Sequence, residues 1–139
     1  PSHLMVGYDS LDEEVGPERA KHMFPFKEFL KQGATLAFGT DTPVVVNVTP
    51  LESLHYAVHR QTWDGLPPQG LMPEQRLTLE ESLYAHTLGA AKALSRTDIG
   101  GMEAGMWADL VVLSHDLRSV KDWRQVKVTA TYLAGQQVY

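Results

Sequence analysis

A short apolar run, Ala34 to Phe38, lies between Gly33 and Gly39 and limits the folds open to this chain more than any other feature. A nearly continuous apolar segment of this length is typical of a strand buried on both faces in a parallel sheet. Apolar residues recur at helical spacing over residues 18–32, and Gly33 stands where such a helix would end. Helix, glycine and buried strand together predict an α/β unit.

Two further helices are indicated by one repeated pattern. The segments 49–52 and 78–81 each place a threonine three residues before a glutamate, which is the capping box that opens many helices. We therefore expect helices over residues 50–60 and 79–94. The residues between them, 61–76, contain several prolines and glycines and predict an irregular loop.

The character of the chain changes after Gly100, where turn residues give way to short runs of β-forming residues. The stretch 108–114 reads as a strand, and two more short strands flank the turn at 134–135. We accordingly expect an α/β part over residues 1–96 and a β-rich tail over residues 97–139.

Composition removes several classes of function. The 139 residues fit one globular unit, with 43% hydrophobic and 21% charged residues and a net charge of −5. The absence of a Lys/Arg cluster argues against a nucleic-acid partner, and the absence of a long apolar stretch argues against a membrane partner. There is no cysteine, so disulfides and thiolate metal sites are excluded. Because the first residue is Pro1 and not methionine, we expect the chain to be part of a longer protein. The cytoplasm is the default expectation for its compartment.

Three stretches, taken in order, carry a resemblance to a known family. They are Leu36–Val44 (LAFGTDTPV), Pro50–Arg60 with its proline-leucine start and arginine end, and Ile99–Leu113 (IGGMEAGMWADLVVL). Together they resemble the amidohydrolase superfamily, and specifically the amidohydrolase family 3 branch that includes N-substituted formamide deformylase-like enzymes. The third stretch is the most specific of the three.

The resemblance implies a distorted (β/α)8 barrel joined to a small β-sandwich built from both chain termini. A complete barrel needs about 250 residues, which is more than this chain has. The expected fold is therefore α/β, a partial TIM-like (β/α)8 barrel segment made of the last strands and helices, followed by strands of the small β-sandwich.

The resemblance also assigns a role to Asp41, which matches the aspartate at the end of the family's last barrel strand. It implies that Asp41 is both a metal ligand and the catalytic base, while the histidine ligands lie upstream of this chain. The implied cofactor is a divalent metal, and zinc suits nitrogen and oxygen ligands. The alternative is a turn or helix-capping aspartate before Thr42 and Pro43, because aspartate favours such positions.

Arg60 and the pair His55 and His59 each have two interpretations. Arg60 is a candidate for binding a substrate carboxylate, or a solvated arginine in the last turn of its helix. His55 and His59 share a helix face at a spacing that can chelate a metal, but exposed helix histidines are the common case. We expect His86 to be a hydrogen-bonded core residue and Asp109 to stabilise a turn.

The expected function of the parent enzyme is hydrolysis of a carbon–nitrogen bond in a small amide-type substrate. The alternative is a non-catalytic fragment that self-associates as a homo-oligomer and is inactive without the missing metal-binding part. A small-molecule binding module unrelated to hydrolases would require the match over Ile99–Leu113 to be accidental.

Overall fold

The computed structural model describes residues 1–45 and 48–139. In these residues a series of short helices precedes a small sheet. The helices are α1 (Ser2–Met5), α2 (Leu11–Val15), α3 (Pro17–Ala20), α4 (Phe26–Lys31), α5 (Pro50–His59), α6 (Leu79–His86) and α7 (Leu88–Ala93), with single 3-10 turns at Pro73–Gln75 and Trp123–Gln125. The strands are β1 (Leu110–Leu113), β2 (Val128–Leu133) and β3 (Gln136–Gln137).

Helices α5 and α6 begin at the two capping boxes found in the sequence. The Thr49 hydroxyl accepts a hydrogen bond from the Glu52 N–H, and the Glu52 carboxylate accepts one from the Thr49 N–H. Thr78 and Glu81 make the same reciprocal pair. Each box satisfies N–H groups that a helix start leaves without partners, so both predicted starts are confirmed.

The predicted helix over residues 79–94 is interrupted at one residue. Thr87 has a backbone conformation outside the helical region, and it separates α6 from α7. Its hydroxyl donates to the Leu83 carbonyl oxygen at 2.7 Å, which turns the threonine side chain back onto the preceding helix. A threonine that bonds to its own helix in this way bends it.

The segment before Asp41 departs from the prediction. Residues 18–32 form two short helices, α3 and α4, instead of one, with Pro25 immediately before α4. The predicted strand over residues 34–38 is extended but has no ladder partner and is largely exposed. A strand needs at least one hydrogen-bonded neighbour, and no other strand lies beside this segment in the described residues. The partial (β/α)8 barrel therefore stays a prediction, as does the division at residue 96.

The extended segment is instead held against the helices that follow it in the chain. The Phe38 N–H donates to the Ala85 carbonyl oxygen at 2.9 Å. Gly89 lies so close to the segment that a Cβ atom built there would collide with the Leu36 carbonyl oxygen. The absence of a side chain at Gly89 thus permits the close approach that places this segment, and the loop after it, on α6 and α7.

The tail folds as an antiparallel sheet in the order β1, β2, β3. Leu110 lies opposite Tyr132, and the hairpin between β2 and β3 turns at residues 134–135. The Asp109 carboxylate accepts a hydrogen bond of 2.7 Å from the Ala134 N–H and so ties the hairpin turn to the start of β1. The tail thus contains a small antiparallel sheet, while its bounds and its place in a β-sandwich stay predictions. Asp109 has a structural role as expected, although the turn that it holds is that of the β2–β3 hairpin and not the turn before β1.

The largest apolar cluster joins the tail to α5. Leu54, on α5, packs with Leu117, Trp123 and Val126 of the tail, and all four are buried. The Trp123 indole N–H donates to the Leu117 carbonyl oxygen at 3.2 Å, so the ring is satisfied as well as buried.

None of the helices in residues 1–45 and 48–139 has the length and apolar character needed to cross a bilayer. The loop between residue 41 and α5 includes positions 46 and 47, which lie outside the described residues.

Replacing Trp123 with alanine should lower the free energy of unfolding by about 3–5 kcal/mol, because it empties the centre of this cluster. Urea denaturation followed by circular dichroism measures the change. Trp107→Ala is the matched control, since that ring is 53% exposed, and we expect it to cost no more than about 1 kcal/mol. Equal losses for both variants would contradict a core centred on Trp123.

Candidate active site

Asp41 lies at the exposed end of the extended segment, in the tight turn that follows it. Its carbonyl oxygen accepts hydrogen bonds from the N–H groups of Val44 and Val45 at 2.8 and 3.2 Å. The hydroxyls of Thr40 and Thr42, on either side, are 2.9 Å apart. The backbone around Asp41 is thereby fixed, while its carboxylate is left free of these bonds.

The backbone of Asp41 is left-handed, with φ of 56°. This region costs most side chains energy because the Cβ atom crowds the following carbonyl, although aspartate and asparagine tolerate it better than others. A left-handed residue in an exposed turn is ordinarily glycine or asparagine. An aspartate at this position is consistent with a requirement for its carboxylate.

His3 is the side chain that the structure brings to Asp41. The His3 Nε2 atom is 3.2 Å from the Asp41 Oδ2 atom, and each side chain is 53% exposed. His3 is held there by its neighbours: Ser2 and Leu4 in α1 are 2% and 1% exposed, and α1 packs on α5. Because the residues on either side are anchored in the interior, His3 faces outwards to the turn that contains Asp41.

Sequence reasoning missed His3. Helices α2, α3 and α4 lie between His3 and Asp41 in the chain, so no short sequence spacing links the two residues. Only the packing of α1 on α5 brings them together. Among the residues that the structure describes, no group of three or more His, Cys, Asp or Glu side chains has a metal-binding arrangement. The imidazole nitrogen and carboxylate oxygen of this pair are donors of the type that zinc prefers, so the pair fits part of a metal site.

Arg60 lies in the interior and has no exposed surface. Its Nε atom donates to the Leu71 carbonyl oxygen at 2.8 Å, and its Nη1 atom donates to the Phe24 carbonyl oxygen at 3.1 Å. The guanidinium carbon lies 5.3 Å from the centre of the Phe26 ring. These contacts connect the end of α5 to the loop after it and to the start of α4. Among residues 1–45 and 48–139 its buried Nη2 atom has no hydrogen-bond partner, and binding of a substrate carboxylate by Arg60 stays a prediction.

Burial also changes the electrostatics of Arg60. It lowers the pKa of the guanidinium to about 10, with Glu74 opposing that shift and Arg76 adding to it. The group therefore keeps its positive charge at neutral pH. A buried charge of this kind is costly unless its hydrogen bonds are made, which explains the two carbonyl acceptors.

His55 and His59 are part of an aromatic contact between α5 and the tail. Their ring centres are 4.5 Å apart, and the Trp123 ring lies 6.0 Å from His55 and 5.0 Å from His59. The His55 Nε2 atom is 3.1 Å from the Thr62 carbonyl oxygen and so carries the proton. Burial, with the adjacent His59, lowers the pKa of His55 to about 4. The ring is neutral at pH 7 and suits an aromatic packing role.

His86 links α5 to α6. Its Nδ1 atom lies 2.8 Å from the Ser82 carbonyl oxygen and its Nε2 atom lies 2.9 Å from the Ser53 hydroxyl. The Nδ1–H therefore donates to the carbonyl and Nε2 accepts from the hydroxyl. Burial lowers the pKa of His86, which favours this neutral form. The predicted hydrogen-bonded histidine is confirmed.

Comparison with known proteins identifies the family. The model of the amidohydrolase family matches residues 1–139, and the chain belongs to that family. The chain is 33% identical over 150 residues to the protein LONG AFTER FAR-RED 3 of Arabidopsis thaliana, covering 100% of this chain and 24% of that protein. It is also 33% identical over 121 residues to imidazolonepropionase of Deinococcus radiodurans, covering 82% of this chain and 26% of that protein.

Two solved structures share the fold. A metal-dependent hydrolase of Pyrococcus horikoshii superposes with a TM-score of 0.73 and 30% identity, over 87% of this chain and 24% of that one. An amidohydrolase of Thermotoga maritima superposes with a TM-score of 0.56 and 26% identity, over 82% of this chain and 25% of that one. The chain thus spans about a quarter of the length of the relatives that it matches.

The left-handed conformation of Asp41 should separate two substitutions at that position. Asp41→Gly should be more stable to unfolding than Asp41→Ala by about 1 kcal/mol, because only alanine has a Cβ atom that is strained there. Thermal and urea denaturation of the two variants measure the difference. Equal stabilities would mean that the turn relaxes out of the left-handed region when the carboxylate is removed.

Arg60→Lys should lower the free energy of unfolding by about 2–4 kcal/mol, since lysine retains a buried charge without the fork that serves both carbonyl oxygens. Arg19→Lys, at an exposed arginine, is the matched control and should change stability little. An Arg60→Lys variant as stable as the wild type would indicate that the guanidinium is not needed for folding.

Proposed function

We propose that this chain is the C-terminal part of a metal-dependent hydrolase that cleaves a carbon–nitrogen bond in a non-peptide amide, with Asp41 as metal ligand and general base. The observation that carries the proposal is the exposed Asp41 carboxylate, held on a fixed left-handed turn beside the His3 imidazole. Membership of the amidohydrolase family over all 139 residues supports it. The solved structure from Pyrococcus horikoshii is itself described as a metal-dependent hydrolase, which supports the metal.

The position of Asp41 suits the chemistry. In barrel enzymes the reacting groups lie at the carboxyl ends of the strands, and only Gly39 and Thr40 separate Asp41 from residues 34–38, which the sequence predicts as the last strand. We propose that the neighbouring strands of the (β/α)8 barrel come from the part of the relatives that this chain does not cover. That part would also supply the remaining metal ligands.

Hydrolysis of an unreactive amide requires an activated water and a proton for the leaving amine. A bound divalent metal supplies the first by lowering the pKa of a coordinated water towards neutrality. Asp41 takes the proton released by the attacking water and transfers it to the leaving nitrogen, as a positioned carboxylate does in general acid–base catalysis. Zinc is the proposed metal, because the chain offers nitrogen and oxygen donors and contains no cysteine.

The substrate class follows from the resemblance and not from a pocket. The sequence pattern around Asp41 is similar to that of the N-substituted formamide deformylase-like branch, so a formamide or another small amide is the proposed substrate. Arg60 stays a proposed contact for a substrate carboxylate, and that role would require the buried guanidinium to become accessible.

A second candidate is a non-catalytic fragment that self-associates. An open apolar groove of about 710 Å³ lies between α6 and the sheet, and its walls include Leu83, Val111, Leu133 and Val138. All four side chains are exposed, and an exposed apolar surface of this kind favours association. A homo-oligomer formed through the groove would not need metal, which distinguishes it from the catalytic proposal.

Replacing Asp41 with asparagine in the full-length enzyme should lower kcat for amide hydrolysis by about 100- to 10,000-fold, because asparagine tolerates the left-handed turn but cannot accept the proton. Hydrolysis of a series of N-substituted formamides and cyclic amides measures the effect. Asp64→Asn is the matched control, since Asp64 is 87% exposed on another loop, and its activity should equal that of the wild type. Full activity in Asp41→Asn would exclude the proposed base.

A further inference from the structure

The proposed function gives the His3 imidazole no chemical role, although its Nε2 atom lies beside the Asp41 carboxylate. We propose that His3 is a second ligand that this chain contributes to the metal of the site, coordinating through Nε2 while Asp41 coordinates through Oδ2. This inference rests on the proposed function, because it assumes that Asp41 binds the metal.

The separation of the two atoms supports shared coordination. Zinc binds histidine nitrogen at about 2.0–2.1 Å and carboxylate oxygen at about 2.0–2.2 Å. Two such ligands at angles between about 90° and the tetrahedral value are about 2.9–3.5 Å apart. The observed distance of 3.2 Å between His3 Nε2 and Asp41 Oδ2 lies within that interval. The distance between the two atoms therefore matches that between two ligands of one ion.

Both ligands are fixed at the backbone and open at the side chain. Ser2 and Leu4, which flank His3 in α1, are buried. The hydrogen bonds from the Val44 and Val45 N–H groups close the turn at Asp41. The side chains of His3 and Asp41 are each 53% exposed, so an ion from solvent can reach them. A prearranged but accessible pair is what a metal-binding site requires.

Stability alone is a weaker explanation for the pair. An ion pair between half-exposed side chains contributes about 0–1 kcal/mol and is screened by salt. The left-handed backbone of Asp41 is less stable than a right-handed one, which offsets this small stabilisation. A glycine at position 41 would avoid this cost altogether.

The pair provides two ligands and needs others. No third His, Cys, Asp or Glu side chain completes a cluster in residues 1–45 and 48–139. Water and residues from the portion of the relatives that this chain does not cover would complete the coordination sphere. This chain would therefore contribute two of the metal's ligands, His3 and Asp41.

The test compares four forms of the full-length protein: wild type, His3→Gln, Asp41→Asn and the double variant. Zn²⁺ affinity is measured by competition with a chromogenic chelator, and the ligand set is followed by the visible absorption of the Co²⁺-substituted protein. We expect each single variant to bind Zn²⁺ at least about tenfold more weakly and to alter the Co²⁺ spectrum. His115→Gln, at an exposed histidine of the tail, is the control and should match the wild type.

The possible outcomes separate the two proposals. Weaker Zn²⁺ binding by His3→Gln with an unchanged Co²⁺ spectrum would place His3 outside the coordination sphere and overturn the inference. So would wild-type behaviour of His3→Gln beside a weakened Asp41→Asn, which leaves the proposed function standing. If neither variant changes affinity or spectrum, Asp41 is not a ligand, and the proposed function fails together with the inference. Because His3 and Asp41 are half exposed, far-UV circular dichroism should show all four forms folded.

Discussion

The packing of α5 against the tail and against α1 is the constraint on which the rest of the structure depends. On one side Leu54 packs into the cluster formed by Leu117, Trp123 and Val126, which fixes the tail. On another, α1 packs on α5 and directs His3 to Asp41. The C-terminal end of the same helix passes into Arg60, whose guanidinium holds two loops. One ten-residue helix thus links the tail, the candidate site and the loops around it.

The features that the sequence predicted correctly are those with local causes. A capping box needs only four consecutive residues, so the starts of α5 and α6 were predictable from Thr49–Glu52 and Thr78–Glu81. The hairpin at residues 134–135 also depends on near neighbours, because its turn lies directly between two short runs of residues. In each case the interacting groups were visible as a pattern in the chain.

The features that the sequence did not predict depend on distant contacts. The apolar run at residues 34–38 has the composition of a buried strand, but pairing requires a neighbouring strand, and none lies beside it in residues 1–45 and 48–139. His3 could not be identified because its partner is reached only through the packing of α1. The sequence also did not predict the burial of Arg60, which makes the solvated alternative wrong. That burial depends on the carbonyl groups of residues 24 and 71, which come from separate loops.

The close approach at Gly89 carries a consequence for how this family can vary. No side chain fits between α7 and the Leu36 carbonyl oxygen, so a substitution at position 89 must push the extended segment outwards. Asp41 follows that segment and would move with it. Gly89 has no reacting group of its own, yet its residue type is restricted because a Cβ atom does not fit there. A survey of tolerated mutations would score it as functional, although its only contribution is the space that it leaves empty.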